Sequence, residues 1–195
     1  MLGLRSNTSE KWAEIVMENL ELFLTDHAYN EMKASQSALA VINHQPNDIQ
    51  FVNTMSALAI EELQHFEMVY EKIQELGYKL GKEQVNEYAM KLRKFFPKTK
   101  DEKEKFYQKL MLSSLIEARS CERFSVLTKV MKETNPELAS FYDGLFESEA
   151  RHYRVFLEYA RQFAGAEYIN PIWDKLLIYE AELIDALGTK ALVHG

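Results

Sequence analysis

Of the 195 residues, one is cysteine, four are proline and seven are glycine. A lone Cys121 closes no intramolecular disulfide, so stability has to come from burial, as is usual for proteins of a reducing compartment. So little Gly and Pro leaves few residues for the frequent tight turns of a β-sandwich or barrel. Also lacking is any apolar run near the roughly 18–20 residues that span a bilayer, and the opening MLGLRSNTSEKW has neither the apolar stretch nor the cleavage site of a secretory signal. A soluble, cytoplasmic protein is expected. There is no excess of positive charge: 23 Lys and Arg stand against 30 Asp and Glu, a net charge of −7 that gives no global attraction to a polynucleotide. What is present is ordinary globular material, 47% hydrophobic and 27% charged, in an amount that suits one domain.

The apolar residues recur at spacings of three and four between the few Pro and Gly markers, which predicts an all-α chain. An N-terminal helix is expected over about 9–24, and long helices over about 26–44, 47–76, 101–133 and 136–165. The chain from Gly81 to Phe96 reads as a shorter connecting helix, and a last helix runs over about 171–187. Pro46 and Pro97 close helices, Gly77 stands at a C-cap, and Asn135-Pro136 supplies an N-cap followed by Pro at the first helical position. Four long helices with a crossover between the second and third match a ferritin-like four-helix bundle with additional short helices, spanning residues 1–195 as a single domain.

Two Glu-x-x-His motifs, Glu62/His65 and Glu149/His152, stand on two of the long helices. Residues three apart project from one helix face, so each pair can reach one metal ion. Each motif is preceded by a glutamate on the previous long helix. Glu31 lies 31 residues before Glu62 and Glu117 lies 32 before Glu149, and the two copies are offset by 86 and 87 residues. That repetition predicts a pseudo-twofold pair of helical hairpins. Leu58, Ala59 and Phe66 surround Glu62, while Leu145, Phe146 and Tyr153 surround Glu149; both carboxylates therefore sit on apolar faces, where an unpaired charge is costly. Four carboxylates balance two divalent cations, and this oxygen- and nitrogen-rich donor set suits iron or manganese better than zinc or copper. Iron is the metal expected here.

Other residues bear on the site. His27 stands one turn before Glu31, but the second half has Ser113 in that place, so His27 is left outside the ligand set. Glu61 either orients a ligating histidine or lies on the surface. Ser113, Ser114, Ser120 and Cys121 surround Glu117 with small side chains, which either leave space beside the metals or allow close helix packing. Cys121 has no His/Asp arrangement pointing to it and reads as packing. Tyr70, Tyr153 and Tyr159 are given no role.

The run Leu115-Ile116-Glu117-Ala118-Arg119-Ser120-Cys121-Glu122-Arg123-Phe124 closely resembles the hallmark of the MiaE family of tRNA hydroxylases. Glu61 through Glu67, Asp26 through Ala34 and Glu147 through Phe156 are similar to that family as well, and the resemblance extends from about Leu4 to Leu187. It implies a nonhaem di-iron, O₂-dependent monooxygenase that hydroxylates the isopentenyl group of 2-methylthio-isopentenyl-adenosine beside the tRNA anticodon. It further implies that Glu31, Glu62 and His65 hold one iron, that Glu117, Glu149 and His152 hold the other, and that Glu62 and Glu149 bridge. An external electron donor would serve as redox partner. The alternatives are a ferritin-like di-iron oxygenase for a small apolar substrate, an iron-storage protein or a metal-free helical interaction protein. A monomer or small oligomer is expected.

Charge distribution bears separately on a tRNA partner. Residues 91–109 carry eight basic side chains against three acidic ones, a local charge of +5 that leaves −12 for the remainder. Lys91, Arg93, Lys94, Lys98 and Lys100 are its candidate tRNA contacts, interleaved with Phe95 and Phe96, and Phe106 and Tyr107 follow. Either they form a basic, base-stacking groove or the aromatics cap the bundle. Arg119 and Arg123 either join the tRNA-facing set at the active-site entrance or neutralise an acidic core.

Overall fold

The structure, a computed structural model, describes residues 3–187 and 189–195, and no strand occurs among them. Among the described residues seven α-helices follow one another: α1 (Glu10–Glu18), α2 (Leu20–Ile42), α3 (Ile49–Glu75), α4 (Glu87–Leu92), α5 (Glu102–Met131), α6 (Pro136–Ala164) and α7 (Ala166–Leu187), with a 3₁₀ turn at Arg93–Phe95 after α4. Side-chain caps set several of the starts. Asp48 accepts from Phe51 N at 2.9 Å, Asn86 from Ala89 N at 2.8 Å, Asp101 from Lys103 N at 2.8 Å and Asn135 from Leu138 N at 3.1 Å. Gly77 and Gly165 follow α3 and α6 with positive φ, a conformation that side chains with a Cβ disfavour.

The chain divides into two compact units. One runs from Asn19 to Val85, and the other joins the segment through Glu18 to Asn86–Gly195. The first is the α2–α3 hairpin. Phe23, Leu24, Ala28, Ala38 and Val41 of α2 are buried, as are Phe51, Met55, Leu58, Val69 and Ile73 of α3. The second is built on the α5–α6 hairpin, with α1 packed on α5, α7 on α6 and α4 on α7.

Three boundaries differ from those expected. The helix expected over about 9–24 breaks at Asn19, whose φ of −132° and ψ of 42° are not helical, and α2 begins at Leu20 instead of Asp26. Leu20, Phe23 and Leu24 continue the apolar period across the break, which hides it; the break is also where one unit gives way to the other. The helix expected from Gly81 starts only at Glu87. Ahead of it, Gly81 N donates to Thr25 Oγ1 at 3.2 Å and Gly81 O accepts from Tyr29 Oη at 3.2 Å, so side chains of α2 hold this backbone in place, the carbonyl being one that a helix would have paired. Finally, α7 starts right after Gly165 and Pro171 lies inside it, near enough to the N-terminal end that little of the hydrogen-bond ladder is lost.

Candidate metal centre

In the first unit, Ser35 Oγ donates to Ala59 O at 2.8 Å and fixes how α2 lies along α3. In that antiparallel register Glu31 stands level with residue 63, between Glu62 and His65. All three are buried. His65 Nδ1 lies 3.4 Å from Glu62 Oε2 and 3.5 Å from Glu31 Oε2. The ligand atoms offered by Glu31, Glu62 and His65 all lie within 4.8 Å of one another. Two neighbouring ligands on one ion, with bonds of about 2.1 Å, stand roughly 3.0–3.4 Å apart, so the donors fit a single cation. Two carboxylates packed this closely also repel each other, which a cation between them relieves. His27, buried one turn earlier, places Nε2 2.6 Å from Glu31 Oε1. Glu61 is half-buried beside Glu62.

The second hairpin repeats this register with different atoms. Cys121 Sγ donates to Phe146 O at 3.5 Å, and Ser114 Oγ to Tyr153 O at 2.9 Å. These two bonds bracket Glu117 and put it level with residue 150, between Glu149 and His152, all three buried. Cys121 is the counterpart of Ser35. Each lies four residues after the hairpin's first glutamate and donates to the carbonyl three residues before the Glu-x-x-His glutamate. The lone cysteine is thus a register-setting donor. Burial, then the charges of Glu149 and Glu122, push its thiol pKa up to about 12, so it stays protonated and is not a nucleophile. Cys121→Ser is expected to keep fold and metal content, with a change in stability below about 1 kcal/mol by denaturant titration.

Arg119 and Arg123 are not at a solvent-facing entrance. Both are buried, so neither is presented to phosphate. Arg119 grips Glu180 with both arms of the carboxylate, Nε–Oε1 at 2.8 Å and Nη2–Oε2 at 2.9 Å, and reaches Glu122 Oε2 with Nη1 at 2.9 Å. Its Nη2 also donates to Ser6 O at 3.1 Å. Burial alone would lower the guanidinium's pKa, but the hydrogen bonds and charge of Glu180 outweigh it and raise the pKa. Tyr88 Oη donates to Glu180 Oε1 at 3.1 Å; burial and then Glu180 hold that phenol well above its ordinary pKa. Arg123 donates from Nη1 to Leu192 O at 3.2 Å and Val193 O at 2.7 Å, with its guanidinium 4.7 Å from the Trp12 ring centroid. Burial, then the like charge of Arg119, bring its pKa down to about 10, still charged at neutral pH. Thr8 donates to both oxygens of Glu122, from N at 2.7 Å and Oγ1 at 2.6 Å. The Arg119–Arg123 run thus ties the segments at residues 6–8 and 192–193 to α5.

Sequence reasoning missed Glu180. Its signal was legible, because it occupies a position on the apolar face of α7 defined by Trp173, Leu176, Leu177 and Leu183, all buried with it. The basic segment does lie at the surface. Arg93, Lys94, Lys98 and Lys100 are exposed, and Lys91 is partly exposed with Nζ 3.6 Å from Glu87 Oε2. Phe95 and Phe96 pack edge to face at 5.0 Å, and Phe95 lies 5.4 Å from Tyr179, so these rings are engaged within the fold. Phe106 is buried.

Two helical hairpins, each carrying a glutamate level with a buried Glu-x-x-His pair, define the class of carboxylate-and-histidine metalloproteins built on long helices. The sequence profile described as tRNA-(MS[2]IO[6]A)-hydroxylase (MiaE) matches residues 2–195, and the chain belongs to that family of tRNA-modifying enzymes. It is 35% identical to a tRNA 2-(methylsulfanyl)-N(6)-isopentenyladenosine(37) hydroxylase of Pseudomonas putida, over 96% of this chain and 89% of that protein. A hydroxylase of the same name from Salmonella typhimurium is 29% identical, covering 77% of this chain and 71% of the other. Among solved structures, a protein with aldehyde deformylating oxygenase activity from Synechococcus superposes with a TM-score of 0.88 at 28% identity, covering 98% of this chain and 95% of its own. The fold is all-α and ferritin-like, as expected. No helix among the described residues is long and apolar enough to cross a membrane.

Proposed function

We propose that the protein is a nonhaem di-iron monooxygenase that hydroxylates the isopentenyl group of 2-methylthio-isopentenyl-adenosine in the anticodon stem-loop of tRNA. The observation that carries this reading is the buried Glu31, Glu62 and His65 cluster, with its register repeated at Glu117, Glu149 and His152, in a chain of the MiaE family. These six residues would hold two iron ions, with Glu62 and Glu149 as the bridging carboxylates, in one domain. Bound iron supplies the activation of O₂. The side chains of this chain supply the rest: the imidazoles and carboxylates fix the ligand geometry, and buried Leu58, Ala59 and Leu145 beside Glu62 and Glu149 keep bulk water away. The reaction balances when one oxygen atom enters the C–H bond and the other leaves as water, which needs two electrons and two protons. The electrons come from an external donor protein. A cytoplasmic monomer or small oligomer is the form proposed.

The deciding experiment is nucleoside mass analysis. Iron-loaded protein with a reductant and O₂ is expected to convert 2-methylthio-isopentenyl-adenosine in tRNA to a product heavier by one oxygen atom; unchanged nucleoside would sink the reading. A second reading, oxygenation of a small apolar substrate, is favoured by the activity of the Synechococcus protein. It predicts turnover of a free aldehyde or alkyl chain with no tRNA present.

For the tRNA interface we propose Lys91, Arg93, Lys94, Lys98 and Lys100. Exchanging Lys94, Lys98 and Lys100 together for Glu is expected to weaken tRNA binding and to flatten its salt dependence. Each lost phosphate contact removes about 0.7 from the slope of log K against log salt. An unchanged slope by fluorescence anisotropy would place the interface elsewhere.

A further inference from the structure

Tyr29, Tyr107 and Tyr179 donate their hydroxyls to the backbone carbonyls of Gly81, Phe163 and Lys91, groups that do not take up a proton at neutral pH. Tyr88, buried on α4, donates instead to a carboxylate, Glu180 Oε1 at 3.1 Å. Arg119 grips both oxygens of that carboxylate and keeps it aimed at the phenol. On its flat side the Tyr88 ring lies nearly parallel to the imidazole of His194, with centroids 5.0 Å apart and an angle of 8° between the planes. His194 Nε2 is in turn 3.1 Å from Ser120 Oγ, and both residues are buried. Ser120 stands three residues after Glu117 on α5, so the two share a helix face one turn apart. Within one unit, a run of buried contacts thus leads from the phenol to the turn of α5 that carries Glu117.

We propose that Tyr88 is a redox-active tyrosine, which gives one electron to the metal centre when the oxidant formed from O₂ meets no substrate, while its phenolic proton passes to Glu180 Oε1. This role rests on the metal centre proposed above. Electron and proton have to leave the ring together. Burial, and then the charge of Glu180, hold the phenol protonated, while Arg119 and Arg123 are close enough to act on it as well. Two cations oppose a third positive charge on the ring, so loss of the electron alone is disfavoured. Transfer of the proton along the existing hydrogen bond leaves a neutral phenoxyl radical and a neutral Glu180. The external donor then returns an electron and Glu180 returns the proton, which restores the starting state. Oxygen that met no C–H bond leaves as water, its two electrons drawn in the end from the donor and its two protons from solvent. The side chains around the metals are thereby spared oxidation.

Rapid-freeze electron paramagnetic resonance reads the radical directly. Iron-loaded, reduced protein is mixed with O₂ in the absence of tRNA and frozen at intervals from milliseconds to seconds. Wild-type protein is expected to show a radical signal that narrows when the protein carries ring-deuterated tyrosine. Tyr88→Phe keeps the ring over His194 and removes only the hydroxyl. It is expected to bind iron as wild type does and to show less than a tenth of the signal. With reductant supplied and tRNA withheld, the variant is also expected to lose its iron severalfold sooner as it consumes O₂. A Tyr88 that only packs would leave the signal alike in both proteins, and that result would overturn the proposal. So would a signal that does not narrow, or no signal from wild-type protein that holds iron and consumes O₂. Equal lifetimes of the iron in the two proteins would overturn the protective role, while wild-type protein that takes up no iron would instead overturn the metal centre.

Discussion

Glu62→Ala protein, reconstituted anaerobically with iron and desalted, is expected to retain less than a tenth of the iron held by wild type. Glu62 is fully buried on α3 with Oε2 3.4 Å from His65 Nδ1, and as the proposed bridge its loss removes a ligand from both ions at once. Stability should move in a way a purely structural glutamate would not show. Without metal, Glu62 contributes a buried charge close to that of Glu31, so its removal costs the apo protein little or relieves repulsion. With metal, binding to the folded state alone adds about 4 kcal/mol when free metal is a thousand times Kd. A chelator is therefore expected to lower the Tm of the wild-type protein sharply and to leave that of Glu62→Ala nearly unmoved. Normal iron content in Glu62→Ala, or an equal response of both proteins to chelator, contradicts the ligand assignment.

Arg119→Met is expected to destabilise the protein by about 3–5 kcal/mol, the usual cost of removing one member of a buried ion pair. The guanidinium is wholly buried and makes five hydrogen bonds, to Glu180, Glu122, Ser6 and Thr8. Its loss leaves Glu180 buried against Tyr88 without the guanidinium that grips both of its oxygens. For a chain of this size, the corresponding fall in Tm is on the order of 10 °C. Pairing the change with Glu180→Leu should recover a good part of that loss, because an apolar pair of similar volume does not carry the desolvation penalty. Urea unfolding of the single and double variants measures the coupling directly. A loss below about 1 kcal/mol in Arg119→Met would mean that the run around Arg119 is not what holds the terminal segments to α5.

The parts of the site visible from sequence were those with a local period. Glu62/His65 and Glu149/His152 are three apart on apolar faces, and their separations from Glu31 and Glu117 encode two hairpins of one register. The structure adds the physical basis of that repeat, the paired bonds from Ser35 and Cys121 to the carbonyls of Ala59 and Phe146. Less visible were features decided by partners distant in sequence. Arg119 and Arg123 look the same whether they face phosphate or a buried carboxylate, and only Glu180 and the carbonyls of Leu192 and Val193 decide between the two. The helix break at Asn19 is silent because the apolar period runs through it. Around Gly81 the backbone bonds instead to Thr25 and Tyr29, partners far away in sequence. His27 stands apart from the repeated ligand set on symmetry grounds, and its approach to Glu31 required coordinates.

The most direct test of the central claim uses isotopically labelled dioxygen. Anaerobically iron-loaded protein is reduced, mixed with tRNA bearing 2-methylthio-isopentenyl-adenosine and exposed to ¹⁸O₂, after which the tRNA is digested to nucleosides and weighed. The account predicts a hydroxylated nucleoside carrying one ¹⁸O atom, absent from protein carrying Glu62→Ala. Unmodified nucleoside from wild-type protein that demonstrably holds iron, or a hydroxyl oxygen drawn from water, would contradict it.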